Sequence, residues 1–277
     1  MSKIALCLSG KVGNTKGKSG YYQSEYKVLK KGYDHYKKHI IDFNDIDVFV
    51  HCWDTELEDD INSLYKPKDI IVEKQVIFDI PNYVKGEYQR KQNHYSRWFS
   101  NMKVNNLCCD FSQKNNIKYD FVMTTRFDLA FETDIIFDDY DTNKFYAGRW
   151  TSVNYNGQDL FKGGRGPLYD IINRQGKDCL KNFKFATKGY PNTHDGFLDL
   201  WFFANYKNSK KFNDMYYNLD EYTKPDKCPT DSSDSISNHQ LVKYHLERLC
   251  LLDQVEFILD MYDDFPEVRR KYYGCRK

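Results

Sequence analysis

Several features that mark whole classes of protein are missing from this sequence. The 277 residues hold 41 Lys and Arg against 40 Asp and Glu, a net charge of +1, so no overall field draws the chain to nucleic acid or to a membrane surface. No apolar run approaches the roughly 20 residues that a membrane-spanning helix requires. The apolar run near the start, Ile4 to Leu8, is too short for a signal peptide. We therefore expect a cytoplasmic protein without a membrane span.

Closely spaced cysteine pairs are also missing. The chain has 8 cysteines, but none forms a CxxC pair, and their spacings do not match those of zinc sites. Several lie inside apolar runs, which favours buried free thiols and a reducing compartment. Glycine (15) and proline (7) are few, whereas aromatic residues reach 17%. No internal repeat or clear linker interrupts the chain, so we expect a single domain over residues 1–277.

Apolar and amphipathic segments alternate along the first half of the chain. Strands are predicted at residues 4–8, 45–53, 69–78 and 119–131. Helices are predicted at residues 21–41 and 87–116, where apolar side chains recur every three or four positions. Because strands separated by helices form parallel sheets, this order predicts an α/β, three-layer sandwich with a mostly parallel central sheet.

The second half has a less regular pattern. Residues 131–141 carry five acidic side chains and are expected to form a solvated turn region. A strand is predicted at residues 144–150, and a strand that leads into a helix at residues 196–219. A further helix is predicted at residues 237–252, with Ser237 or Asn238 as its N-cap.

A Gly-rich basic loop follows the first predicted strand. Gly17-Lys18-Ser19 matches the end of the Walker pattern, in which Lys and a hydroxyl contact phosphates and magnesium. The pattern needs four residues before that Gly-Lys pair, whereas the interval from Gly13 to Gly17 leaves three. Since the loop N–H groups must converge on a phosphate of fixed size, an ordinary surface turn or a flexible lid fits this spacing better. A nucleotide kinase built on Lys18 and Ser19 stays an alternative.

Polar residues follow three of the predicted strands, at the sheet edge where parallel α/β folds bind ligands. The three strand exits are Ser9-Gly10-Lys11, His51-Cys52-Trp53-Asp54 and Thr125-Arg126-Phe127-Asp128. Arg126 and Asp128 are two residues apart and so face the same side of an extended chain. Such a pair can serve one diphosphate, the Arg by direct pairing and the Asp through a divalent cation. The alternative is that the two side chains bind each other as an internal salt bridge.

Four short motifs resemble those of a known family. The segments ALCLSGK, DVFVHCWD, YDFVMTTRFDLAF and LDLWFFAN are similar, in the same order, to SGQxR, DIFIHTW, YDxVIRTRPDLLF and NDQFAIGS. The latter motifs belong to short GT-A-type glycosyltransferases of surface-polysaccharide gene clusters and large viruses. The resemblance covers about residues 1–250. This chain departs from it at Lys11-Val12, where the family has Gln-x-Arg, and at Phe127, where the family has Pro.

The resemblance implies a GT-A-like (Rossmann-like) fold with two functional halves. Residues 1–130 would bind a nucleoside diphosphate sugar, and residues 131–277 would bind the acceptor. The enzyme would move the sugar to an acceptor hydroxyl of a surface glycan or, as second choice, of a hydroxylated DNA base. Neither an inverting nor a retaining outcome is favoured, and a non-catalytic nucleotide-sugar-binding module is the remaining alternative. The sequence leaves the oligomeric state open.

The resemblance also implies roles for individual residues around the donor. The donor-binding candidates are Ser9, Gly10, Lys11, His51, Trp53, Asp54, Thr125 and Arg126. Asp128 would bind a magnesium or manganese ion that bridges the diphosphate, although a guanidinium at Arg126 can supply part of that charge. Lys11 or Lys18 would replace the family's missing Arg. Trp53 would stack on a base or sugar, unless it is simply a core residue.

Further candidates lie in the acceptor half. Asp199, with Asp195 as its rival, would act as the base toward the acceptor hydroxyl or as a ligand of the donor sugar; a local backbone-capping role is the alternative. Trp201 would form an acceptor platform, and Lys162 and Arg165 of a basic loop would grip the acceptor. Of His239 and His245, at most one would join a metal site, because their spacing puts them on different helical faces.

Overall fold

The structure is a computed structural model that describes residues 1–13, 25–149, 153–160, 167–186, 196–227, 237–261 and 263–273. Its strands are β1 (Lys3–Gly10), β2 (Asp45–Cys52), β3 (Asp69–Val72), β4 (Phe121–Thr125), β5 (Phe145–Arg149), β6 (Val153–Tyr155), β7 (Gln158–Leu160), β8 (Lys184–Phe185), β9 (Trp201–Ala204) and β10 (Val255–Asp260). Its helices are α1 (Glu25–His39), α2 (Glu58–Tyr65), α3 (Tyr88–Asn115), α4 (Pro167–Gln175), α5 (Tyr206–Asn213), α6 (Met215–Tyr222), α7 (Asn238–Arg248) and α8 (Val268–Tyr273).

The chain packs as two units, each built from separate stretches of sequence. Unit 1 comprises Met1–Val76, Phe99–Thr142 and Tyr262–Lys277, and unit 2 comprises Ile77–Trp98 and Asn143–Met261. Helix α3 begins in unit 2 and ends in unit 1. The predicted functional halves, residues 1–130 and 131–277, concern ligands and stay a prediction.

Unit 1 contains four parallel strands in the order β4-β1-β2-β3. The apolar runs of β1 and β4 and the Val-Phe-Val centre of β2 are buried, as expected of strands that are covered on both faces. Because all four strands run the same way, their carboxyl ends meet at one edge. The predicted α/β class with parallel strands is confirmed here.

Unit 2 mixes both kinds of strand pairing. Strand β10 pairs with β5 in parallel, and β9 pairs with β5 in antiparallel register. A small antiparallel sheet has the order β7-β6-β8. The core of this unit is strongly aromatic: Phe212 contacts the rings of Phe145 and Phe202 with centroids 5.0 and 4.6 Å apart.

Some predicted boundaries and one predicted environment are wrong. Strand β3 ends at Val72 rather than residue 78, and β4 ends at Thr125 rather than residue 131. The predicted solvated turn at residues 131–141 buries Phe131, Ile135 and Phe137, because its apolar side chains pack inward while its acids point out. The stretch at residues 196–219 forms one strand and two helices, α5 and α6, rather than one helix.

The thiol prediction is confirmed for the part of the chain that is described. Six free cysteines are found there, five of them buried and Cys250 exposed. Across the same residues, no helix combines the length and the apolar composition that crossing a membrane requires.

Candidate functional site

The three predicted strand exits lie side by side in unit 1. The β1–β2 register pairs Ser9 with His51 and Gly10 with Cys52, and the β1–β4 register pairs Leu8 with Thr125. Adjacent parallel strands therefore bring the donor-binding candidates to one sheet edge, as the sequence predicted. This edge is the position at which open α/β sheets bind ligands.

The side chain of Ser9 is hydrogen-bonded to helix α3. Its hydroxyl donates to Oδ1 of Asn101 over 2.6 Å, and both residues are fully buried. The amide nitrogen Nδ2 of Asn101 is buried and has no hydrogen-bond partner within the described residues. An unpaired buried N–H group costs about 1–3 kcal/mol, so this donor suits a ligand oxygen.

His51 links two other side chains in a buried relay. Its Nδ1 lies 2.7 Å from the Ser100 hydroxyl and its Nε2 lies 3.0 Å from a carboxylate oxygen of Glu73. Burial lowers the pKa of His51, and the Glu73 carboxylate opposes that shift. The relay has the connectivity of a hydrolase triad, but Ser100 is fully buried and cannot reach a substrate. Both ring nitrogens of His51 are therefore engaged within the protein, in an arrangement that joins α3 to β2.

Trp53 packs as a core residue with one free polar group. Its ring stacks on Phe99 with centroids 5.8 Å apart, and the residue is 5% exposed, so this arrangement does not support stacking on a base. Its Nε1 is buried without a hydrogen-bond partner in the described part of the chain. The Trp53 backbone N–H donates to the carbonyl of Gly10, which places the residue beside the β1 exit.

Asp54 organises the loop after β1. Its Oδ2 accepts the backbone N–H of Val12 over 2.8 Å. Burial raises the pKa of Asp54, and the Val12 N–H and the charge of exposed Lys11 oppose that rise. Gly10, with φ of +96°, makes the turn that the loop needs, because this left-handed conformation favours glycine.

Arg126 and Asp128 bind each other. Nε of Arg126 lies 2.8 Å from Oδ1 of Asp128, and Nη2 lies 2.7 Å from Oδ2. Asp128 is fully buried, whereas the Arg126 side chain is 24% exposed. The hydroxyl of Tyr36 fixes the backbone by donating to the Arg126 carbonyl. Of the two arrangements that the sequence allowed for this pair, the structure shows the salt bridge between the two side chains, with part of the Arg126 side chain exposed.

A divalent ion at Asp128 was implied by the resemblance, and the residues present do not fit one. Both carboxylate oxygens of Asp128 are held by Arg126, and Nη2 of Arg269 lies 3.3 Å from Oδ2. A metal ion would have to displace two guanidinium groups from a buried carboxylate. Positive charge at this strand exit therefore comes from arginine.

Arg269 of helix α8 was missed by the sequence reasoning. Its Cδ lies 3.5 Å from the position that a Cβ on Gly13 would take, so its side chain lies against the loop after β1. Its Nε is buried with no partner among the described residues. The only signal in the sequence is the basic segment VRRKYY, and nothing there indicates which strand exit it contacts.

A second polar cluster surrounds Asp199 in unit 2. Oδ2 of Asp199 accepts from Nδ2 of Asn238 over 2.9 Å, and Oδ1 lies 3.4 Å from Nδ1 of His239. Asn238 is itself fixed by the indole N–H of Trp98 over 2.9 Å. His94 packs beside them, and burial lowers its pKa to about 4. The carboxylate is thus oriented by a fixed amide and stays 14% exposed, which suits a group that accepts a proton.

The other acceptor-side candidates are not brought together. Trp201 is fully buried on β9, stacked on Phe203, so this placement does not support an acceptor platform. His245 is buried between the Tyr222 hydroxyl and the Phe212 carbonyl, and of the two helix α7 histidines only His239 contacts Asp199. Asp195, Lys162, Arg165 and the Lys18-Ser19 pair lie outside the described residues.

No protein-family model matches the chain, and no curated protein matches it.

Proposed function

We propose that the chain is a GT-A-type glycosyltransferase that transfers a sugar from a nucleoside diphosphate sugar to an acceptor hydroxyl. One observation carries the proposal: three buried N–H donors lack partners around the β1 exit within the described residues. They are Nε1 of Trp53, Nδ2 of Asn101 and Nε of Arg269. Each belongs to a residue that contacts Ser9, Gly10 or Gly13.

A diphosphate matches these donors. It carries several acceptor oxygens and negative charge, and the side chains of Arg126 and Arg269, each about a quarter exposed, lie beside the same exit. Hydrogen bonds from arginine to phosphate are among the stronger ones in proteins. Asp128 holds the two guanidinium groups in place, so that little reorganisation is needed when the ligand arrives.

In the transfer, a bond forms between the acceptor oxygen and the anomeric carbon. The bond from that carbon to the diphosphate oxygen breaks, and the nucleoside diphosphate leaves with the electron pair. Arg126 and Arg269 stabilise the charge that develops on it. In an inverting reaction Asp199 takes the proton of the acceptor hydroxyl; in a retaining one the leaving diphosphate takes it, and Asp199 orients the sugar.

The proposed acceptor is a surface glycan in preference to a hydroxylated DNA base. The net charge of +1 provides no broad attraction for a polymer of phosphates, whose binding depends on many Lys and Arg contacts. We propose that the reaction takes place in the cytoplasm.

The test removes one unpartnered donor and keeps its ring. Purified wild type and Trp53→Phe are screened with a panel of uridine, guanosine and thymidine diphosphate sugars by thermal shift and by donor hydrolysis, with and without EDTA. We expect one donor to raise the Tm of the wild type by a shift that survives EDTA, and Trp53→Phe to bind that donor about tenfold more weakly. For the shift in Tm, Trp98→Phe is the matched control, since its indole N–H already has a partner in Asn238. Donor hydrolysis is not compared in this variant, because Asn238 orients Asp199.

Two outcomes would overturn the proposal. The first is that no donor in the panel binds or is consumed. The second is ATP turnover that is lost in Lys18→Ala and kept in Arg126→Ala, which would assign the chain to phosphoryl transfer.

A further inference from the structure

A cluster of metal-ligand side chains in unit 1 includes none of the residues assigned to the donor. His35 and His39 of α1 and Glu132, in the segment after β4, each place one ligand atom within 4.8 Å of the other two. The histidines are four residues apart, so they share one face of α1, and their rings stack at 16° with centroids 6.1 Å apart. We propose that these three side chains, the histidine cluster, bind a divalent transition metal ion, with Zn²⁺ the best match.

The hydrogen bonds of the two rings leave Nε2 of each ring without a proton. Nδ1 of His35 lies 2.7 Å from the carbonyl oxygen of Phe131, and a carbonyl only accepts, so Nδ1 carries the proton. Nδ1 of His39 lies 2.7 Å from a carboxylate oxygen of Asp134, with the same consequence. Both rings therefore keep their lone pair on Nε2. Metal-binding histidines commonly donate their second N–H to a carbonyl or carboxylate in this way.

One of these lone pairs has no hydrogen-bond partner. Nε2 of His39 is buried and has no donor in contact with it across the described residues. Nε2 of His35 lies 2.7 Å from the hydroxyl of Tyr272 on α8, which a metal would displace.

The carboxylate of Glu132 already has a cationic partner, Lys271. Nζ of Lys271 forms an ion pair with Glu132, and Glu132 also lies 3.3 Å from Nδ1 of His35. A metal ion would take over the role of this ammonium as the counter-charge of Glu132. Lys271 therefore competes with the metal and sets the affinity of the site.

Two imidazoles and one carboxylate are the ligand set that Zn²⁺, Co²⁺ and Ni²⁺ prefer. Bonds of about 2.0–2.2 Å in a tetrahedral site place ligand atoms roughly 3.4 Å apart, so ligand atoms now within 4.8 Å of one another have to move closer together. Glu132, which lies 3.3 Å from Nδ1 of His35, also has to reach the Nε2 side of that ring. The metal would join α1 to the segment after β4, and it would release Lys271 and Tyr272 of α8. Binding would stabilise the folded chain, because the unfolded chain holds no such arrangement.

The test uses the metal ion alone with the full chain. Protein freed of metal by a chelator is titrated with Zn²⁺ in competition with a chromogenic chelator, and with Co²⁺ followed by its visible ligand-field absorption. We expect one equivalent to bind with an intense, tetrahedral-type Co²⁺ spectrum and with a rise in Tm. His39→Gln and Glu132→Gln should each weaken binding at least tenfold, and Asp134→Ala about 10–100-fold. Lys271→Met should tighten it.

Asp42→Asn is the matched control, because Asp42 is an exposed carboxylate paired with Lys37 outside the histidine cluster. It should bind metal as the wild type does. Circular dichroism and melting in chelator verify that each variant is folded. The proposal is overturned if Zn²⁺ does not bind, if His39→Gln and Glu132→Gln bind it as the wild type does, or if Lys271→Met weakens binding.

Discussion

The guanidinium of Arg126 grips the carboxylate of Asp128 at two points, with N–O distances of 2.8 and 2.7 Å, and Arg269 approaches the same carboxylate from α8. The acid is fully buried, and about a quarter of each arginine side chain is exposed. Asp128 therefore serves as an anchor: its carboxylate fixes the guanidinium groups of Arg126 and Arg269, whose side chains stay partly exposed. The family resemblance implied that Asp128 binds a metal ion. Its contacts with Arg126 and Arg269 are instead those of a structural counter-ion.

Removing this anchor should destabilise the fold. Asp128→Ala leaves two guanidinium groups without their shared counter-charge, and we expect the free energy of unfolding to fall by about 2–4 kcal/mol, somewhat below the value for a fully buried pair. Urea unfolding at neutral pH measures it. Asp45→Ala, which removes the exposed partner of Lys3, should cost less than about 1 kcal/mol. Equal losses in the two variants would contradict the anchor role.

Asp199 should matter for transfer and little for donor binding. Asp199→Asn keeps the shape and the contact with Asn238 but cannot take a proton, so in an inverting enzyme the turnover should fall by about 10²–10⁴-fold. Donor affinity by thermal shift should stay within about threefold of the wild type. Asp253→Asn, an exposed carboxylate in the short 3-10 helix before β10, is the control. Wild-type turnover in Asp199→Asn would leave this carboxylate with a structural role only.

Gly32 is required for a close approach inside unit 1. A Cβ at this position of α1 would lie 2.0 Å from the carbonyl oxygen of Phe127. In an unobstructed helix Gly→Ala gains about 1 kcal/mol, whereas forced repacking costs about 1–3 kcal/mol or more. We expect Gly32→Ala to lower the free energy of unfolding, as seen in denaturant titration. Lys38→Ala, on the exposed face of α1, should be nearly neutral, and a stabilised Gly32→Ala would show that the two segments are not in contact.

Acid should weaken the fold through His94. Burial lowers its pKa from an ordinary 6.5 to about 4, so between these values the unfolded chain binds the proton and the folded chain does not. The free energy of unfolding therefore falls as the pH drops through this window, by about 3 kcal/mol in total. In His94→Gln the fall between about pH 7 and pH 4.5 should be smaller by about 2–3 kcal/mol in urea titrations.

His245 offers an independent comparison for that pH effect. Burial lowers its pKa to about 4 as well, and it lies in a different hydrogen-bond group, between Tyr222 and Phe212. His245→Gln should flatten the pH dependence by a similar share, and the two effects should add in the double variant. An unchanged slope in both single variants would mean that other groups cause the acid sensitivity.

The sequence predicted the sheet edge of unit 1 because the necessary signals are local. Apolar runs mark β1, β2 and β4, and amphipathic periodicity marks α1 and α3. Once these elements alternate, parallel pairing brings Ser9, His51 and Thr125 together. The same reasoning missed β6 to β8, which are only two or three residues long. It also made β3 too long, because apolar residues resume at positions 76–78 after three polar ones.

The burial of the candidate side chains could not be predicted from neighbouring residues in the sequence. Whether Asp128 faces solvent depends on Arg269, which follows it only after the whole of β5 to β10. Likewise, the ring of Trp53 is covered by Phe99 of α3, and its N–H is left buried without a hydrogen-bond partner among the described residues. Residue types at a strand exit indicate what chemistry is possible there, and distant segments of the chain decide which atoms remain accessible.

The path of the chain through unit 1 has a consequence for the order of folding. After β4, residues 128–132 pair with residues 264–268 through Val268 N–H to Asp128 O, Ala130 N–H to Pro266 O and Glu132 N–H to Asp264 O. Everything from Asn143 to Met261 belongs to unit 2 and is synthesised in between. On the ribosome, the β4 end must wait for these late partners, and until they emerge Asp128 lacks the second arginine that shares its charge.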